Sequence, residues 1–177
     1  AMDPAHFLFL HAIQGNEGFT EDFQQIGEID FMETPLGMVY IDTRRMNDLV
    51  WVRVTDYIAP NIHQGCDLGE DIAQRDGNRP TVTRWAVPID DTNTMQIGYW
   101  RARDGEAIQT EVGFGQMPDR TYEERQRVPG DCDAQVGQRP IAVHALEHLA
   151  TTDRGVIALR NMTRQSIRAV GNGQNPL

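Results

Sequence analysis

From Ile26 onward, apolar and polar residues alternate with period two in three short runs, "GEIDFMETP", "GMVYIDTRR" and "DLVWVRVTDYIAP". In the third, Val50, Val52 and Val54 alternate with Trp51, Arg53 and Thr55, the pattern of a strand with two chemically different faces. Pro35-Leu36-Gly37 and Met46-Asn47-Asp48 interrupt the runs with turn-forming residues, so together they predict a meander of antiparallel strands. Two more strand-like runs, "TVTRWAVPID" and "TMQIGYWRAR", flank the turn cluster Asp90-Asp91-Thr92-Asn93. A polar, glycine-bearing loop is expected from Gln64 to Arg79, ending at Pro80, and the charged segment from Gly105 to Gly130 reads as irregular.

Both ends of the chain leave the two-residue period. Asp3-Pro4 is a helix start, a capping carboxylate before a proline suited to the first helical position. The following "AHFLFLHAIQG" is apolar enough to be a buried helix that stops near Gly15. A long helix is expected from Thr152 or Asp153 to about Val170, with Val156, Leu159, Met162, Ile167 and Val170 near helical spacing and "GNGQNPL" as its stop. The elements sum to an α+β domain, an antiparallel sheet of about five strands gripping a long C-terminal helix. Such an arrangement can leave an apolar cavity between sheet and helix.

Length and charge narrow the partners. The 177 residues suit one domain with a sizeable core, and no apolar run reaches the roughly 20 residues that cross a bilayer. A net charge of −10, from 26 acidic and 16 basic residues, argues against nucleic acid as a partner, because phosphates are met by a basic stripe. Arg154, Arg160, Arg164 and Arg168 are spread along the last helix as a solvated face. Cys66 and Cys132 are too distant in sequence for a zinc ribbon or redox pair and fit a reducing, cytoplasmic compartment.

Candidate chemistry concentrates at the start. Asp3, His6 and His11 lie within nine residues, and two of the chain's five histidines are there. Asp3 and His6 are three apart and can meet on one helix face. His6 and His11 differ by about 140° on a regular helix, so joint ligation of a metal requires the helix to bend, bulge or end between them. A second pattern, "HALEH" at 144–148, matches the H-x-x-E-H zinc peptidase motif literally. That motif needs a further acidic ligand downstream, and after Glu147 the only acid is Asp153. His144 and His148 therefore read as structural, as does the lone His63.

The stretch "MDPAHFLFLH" resembles the iron-binding segment in the catalytic domain of Rieske-type aromatic ring-hydroxylating oxygenases. Its Asp, two residues, His, four residues, His pattern is matched by Asp3, His6 and His11. "ETPLGMVYIDTRR", "WVRVTDYIAPNIHQ" and "TRWAVPIDDTNTMQIGYW" resemble successive strands of the phthalate-dioxygenase-like branch. "YEERQRVPGD" and "EHLATTDRGVIALRNM" resemble its C-terminal part, so ordered likenesses cover nearly the whole chain.

The resemblance implies a START-like helix-grip fold and a mononuclear Fe(2+) held by His6, His11 and one later carboxylate. Two histidines and a carboxylate with open positions suit ferrous iron that activates dioxygen. "GDCDAQVGQRPI" offers Asp131 and Asp133. Counting back without gaps from Pro140, Ile141 and Glu147-His148-Leu149 selects Asp131, with Asp133 as its rival, and Cys132 stands where the branch tends to carry an aromatic residue. Asp3 would bridge His6 to a histidine of the neighbouring subunit's [2Fe-2S] Rieske cluster in a homotrimer, besides serving as a helix cap.

Such a cluster needs paired cysteine and histidine spacings, and neither Cys66-Asp67-Leu68 nor Cys132-Asp133-Ala134 begins one. The resemblance thus places residues 1–177 as an N-terminally truncated catalytic-domain fragment, inactive alone because the Rieske domain is absent. Its partners would be an aromatic substrate, O2 and a reductase or ferredoxin, and its reaction ring hydroxylation or oxidative demethylation or ether cleavage, by a dioxygenase or a monooxygenase. Pocket walls are expected from strands and loops such as Trp85 to Met95. The alternative is a metal-free START-like module binding an apolar ligand in the same cavity.

Overall fold

The computed structural model describes residues 3, 5, 6, 10, 26–65, 80–102 and 120–176. Its centre is a single six-stranded sheet whose spatial order follows the chain: β1 (Glu28–Thr34), β2 (Gly37–Met46), β3 (Leu49–Ile58), β4 (Ile62–Gly65), β5 (Val82–Pro88) and β6 (Thr94–Trp100). Every pairing is antiparallel, as the alternating runs and short turns require. The predicted turns close the hairpins. At Gly37 φ is +153°, and a Cβ there would meet the Tyr57 carbonyl oxygen at 2.0 Å, so only glycine fits. At the far end the Asp90 carboxylate accepts from the Thr92 and Asn93 backbone N–H groups, each at 2.8 Å.

The five predicted strands are present, together with β4, whose last two residues overlap the loop expected from Gln64. Ile62-His63-Gln64-Gly65 is too short and polar to show a period, and its strand character comes from pairing with β3 and β5. The segment expected to be irregular contains α1 (Tyr122–Arg127), and the residues that follow Pro129-Gly130 form a second short helix, α2 (Asp131–Gly137). Thr121 caps α1 through a reciprocal box in which its hydroxyl accepts from Glu124 N–H and the Glu124 carboxylate accepts from Thr121 N–H.

The C-terminal helix α3 (Arg154–Gly171) follows a 3-10 turn at Thr151–Asp153. Val156, Ala158, Leu159 and Met162 pack on a core of Ile29, Met38 and Tyr40, with Phe31 and Tyr57 beside them. Gly155 is buried where the helix passes Phe31, and Arg154 donates to the Ile29 carbonyl. Ile167 and Val170, expected on the same stripe, are exposed because the second half of the helix runs past the packed strands. The molecule is thus an α+β fold, a six-stranded antiparallel sheet with a C-terminal helix on one face. Among the described residues, no helix is long and apolar enough to cross a membrane.

Register assigns that helix-packed face. Ile29, Asp42 and Arg53 form one row across it, Phe31, Tyr40, Thr55, Gly65, Val82 and Trp100 a second, and Met38, Tyr57, His63, Arg84 and Gly98 a third. The opposite face carries Val50, Val52 and Val54, all exposed. Trp85 pairs with Ile97 and touches Tyr99, with ring centroids 5.8 Å apart, so it stands on the face away from α3.

Candidate metal centre

His6 is the best-defined part of the predicted site. Asp3 Oδ1 accepts from the Ala5 backbone N–H at 2.8 Å, which is the expected helix-start cap. The Asp3 backbone oxygen lies 2.5 Å from His6 Nδ1, whereas its carboxylate is 3.7 Å from the same nitrogen. A carbonyl oxygen only accepts, so the close contact places the proton on Nδ1 and the ring's lone pair on Nε2. That is the arrangement found for metal-ligating imidazoles, in which one nitrogen is fixed by an acceptor and the other faces the ion. Both halves of Asp3 are therefore used locally, the carboxylate as a cap and the carbonyl as the orienting group.

The two candidate acids differ in their surroundings. Asp133 Oδ2 accepts from Arg120 Nη2 at 2.8 Å and from Gly130 N–H at 2.9 Å, closing the start of α2 on itself. Asp131, two residues earlier, is exposed at the first position of the same helix. The fold thus commits Asp133 Oδ2 to structure, while Oδ1 is buried with no hydrogen-bond partner among the described residues. Cys132 between them is a free, half-buried thiol. His11 lies outside the described residues, and among the described residues no group of three or more His, Cys, Asp or Glu side chains converges as a metal site. The donor chemistry of His6, with Nε2 basic and Nδ1 anchored, fits an iron ligand.

In the segment at 144–148 the residue tied into the fold is Glu147. Glu147 meets Arg160 of α3 through two contacts of 2.5 and 2.8 Å, tying the irregular segment to the helix. The guanidinium holds the Glu147 carboxyl below its ordinary range. His144 and His148 are exposed on either side of it.

Two further buried features carry no motif. Asp42 and Arg44, one strand step apart on β2, form a buried pair with Arg44 Nη2 2.9 Å from Asp42 Oδ2 and Nε within 3.2 Å of both carboxylate oxygens. Burial, and then the negative charge of Asp42, push the neighbouring Tyr40 phenol upward, so it stays protonated. His63 is the second. Burial, with the cations Arg84 and Arg53 adding to it, pushes its imidazole down to about 4.

A depressed histidine means that the unfolded chain binds a proton the folded chain refuses. Stability from this group is present above its ordinary value of 6.5 and is lost as pH falls toward about 4. His63→Gln is therefore expected to flatten the fall in urea-denaturation midpoint across that window relative to the unaltered chain. An identical pH dependence for the two proteins counts against a buried neutral imidazole.

No protein-family model matches the chain. Over an alignment of 144 positions covering 74% of the chain, it is 36% identical to the tert-butanol monooxygenase / tert-amyl alcohol desaturase oxygenase subunit of Aquincola tertiaricarbonis, of which it spans 30%. Over an alignment of 182 residues covering 99% of the chain, it is 30% identical to the phenoxybenzoate dioxygenase subunit alpha of Ectopseudomonas oleovorans, of which it spans 42%. The chain thus covers less than half the length of either relative. Likeness to two oxygenase subunits, reaching across almost all of its residues, supports a Rieske-type oxygenase family for this protein.

Proposed function

We propose that this chain is the mononuclear-iron part of an oxygenase alpha subunit of the phthalate-dioxygenase-like branch, acting on an aromatic substrate with O2. His6, His11 and Asp131 are the proposed ligands. The observation that carries the reading is the anchoring of His6 Nδ1 on the Asp3 carbonyl, which aims the basic nitrogen away from the backbone. The two oxygenase relatives support the same reading. A ferrous ion bound by these residues supplies the activation of dioxygen on its vacant face.

The chain's own residues do the rest. Asp3 fixes the tautomer and direction of His6, and Asp133 pins the start of α2 so that Asp131 is presented from a capped helical turn. α3 closes the sheet face through Val156, Leu159 and Met162, a helix-grip arrangement that keeps an apolar ligand beside the site out of water. Electrons would come from a Rieske cluster in the longer subunit, served by a reductase or ferredoxin, and Asp3 would stand at the contact with that donor in a homotrimer.

Anaerobic reconstitution with ferrous ion, followed by metal analysis of the washed protein, tests the assignment. Stoichiometric iron in the unaltered chain and its loss in His6→Ala are expected. Absence of bound iron, or binding indifferent to His6→Ala, refutes the reading.

A further inference from the structure

The turn between α1 and α2 decides where Asp131 stands, and one side chain ties both ends of it. Arg120, just ahead of the Thr121 cap, reaches past the whole of α1. Its Nη1 donates to the carbonyl of Val128, the residue that ends α1, at 2.8 Å. Nη2 donates to Asp133 Oδ2 in the first turn of α2, also at 2.8 Å. The same carboxylate oxygen accepts from the Gly130 N–H at 2.9 Å. Asp131 therefore lies between residues that a single guanidinium holds together.

This is not the geometry that pairs an arginine with a carboxylate best. A side-on fork gives each carboxylate oxygen its own guanidinium N–H. Here Asp133 Oδ1 and Arg120 Nε are both buried with no hydrogen-bond partner among the described residues. Buried polar atoms left in this way cost stability. The arrangement gains reach instead, with Nη1 turned to the Val128 carbonyl and Oδ2 to the Gly130 N–H. Neither α1 nor α2 has a buried residue, so how one helix follows the other falls to these polar ties rather than to a shared core. The planar, rigid fork of arginine suits that task, which a single ammonium point charge does not reproduce.

We propose that Arg120 is a positioning residue of the metal centre, a clamp that acts through the Val128–Asp133 turn to hold the Asp131 carboxylate where a ferrous ion can be met. The inference rests on the reading of Asp131 as the carboxylate ligand and adds the residue that sets its place.

Anaerobic ferrous titration of the full chain, of Arg120→Met, of Asp131→Asn and of the double variant tests it. Arg120→Met is expected to weaken ferrous binding about 10–100-fold, the range for groups that orient a ligand. In the Asp131→Asn background the same change should have little further effect, because the group it places is gone. A general loosening of the fold would instead lower affinity by the same factor in both backgrounds. Arg120→Lys, which keeps the charge without the planar fork, should fall between the unaltered chain and Arg120→Met. Where Asp131→Asn binds too little iron to titrate, or Arg120→Met fails to fold, the visible absorption of Co(II) bound to Arg120→Lys decides. A changed band shape supports a displaced ligand, and a spectrum identical to that of the unaltered chain overturns the clamp. Unchanged ferrous affinity in Arg120→Met, or equal losses with and without Asp131, likewise overturns it. The two levels separate on the same samples. Iron lost in Asp131→Asn but indifferent to Arg120 sinks the clamp alone, whereas iron indifferent to Asp131→Asn sinks the ligand assignment and the clamp with it.

Discussion

Asp42→Ala is expected to lower the stability of the fold by about 3–5 kcal/mol, the usual cost of breaking a buried ion pair by removing one of its members. Asp42 is 2% exposed and Arg44 5%, and the pair sits on the face that α3 packs against. The carboxylate receives three guanidinium contacts, and removing it leaves Arg44 in a site from which water is excluded. The Arg44 guanidinium also lies 5.9 Å from the Trp51 ring centroid, and that contact survives the substitution without neutralising the charge. A double replacement, Asp42→Leu with Arg44→Met, should recover much of the loss, because well-packed apolar pairs often match buried ion pairs. Urea denaturation of the single and double variants decides the matter. A single variant within about 0.5 kcal/mol of the unaltered chain, the range of ordinary surface changes, would show that the pair is wet.

That pair also marks the boundary of what the sequence could disclose. The strands and turns around it were legible because alternation and turn chemistry are local, and Gly37 and Asp90 do what their neighbours demand. Which face turns inward was not legible. In "MVYIDTRR" the apolar positions Val39 and Ile41 would conventionally face the core, yet Met38, Tyr40, Asp42 and Arg44 are buried. In β3 the valines Val50, Val52 and Val54 are exposed, while Trp51 and Thr55 are buried. The docking of α3 on Met38 and Tyr40 decides the matter, and that contact is non-local.

The same cause explains β4, a strand by virtue of its neighbours, and the placing of Trp85 by register on the face away from α3. For the candidate site, spacing pointed to Asp3 and His6. It could not tell that the Asp3 carbonyl, more closely than its carboxylate, holds the imidazole, because both are reached at the same separation.

A crossed pair of substitutions tests the remaining choice within the metal centre. Asp131→Asn is expected to lower ferrous affinity at least about 100-fold, since groups that merely orient a ligand already account for about 10–100-fold. Its effect on stability should stay within about 0.5 kcal/mol, because the residue is exposed at the first position of α2. Asp133→Asn should do the reverse. It removes the carboxylate that accepts from Arg120 and from the Gly130 N–H, so a loss of about 1–2 kcal/mol is expected by analogy with other helix caps. Ferrous affinity would fall far less than in Asp131→Asn, because the ligand itself is retained. The opposite outcome, with iron lost on replacing Asp133 and held without Asp131, would transfer the ligand to Asp133. The metal would then be met by Oδ1, which is buried with no hydrogen-bond partner among the described residues, while Oδ2 keeps its Arg120 and Gly130 contacts. Equal loss from both would mean that α2 is positioned as a unit and that neither acid alone determines the site.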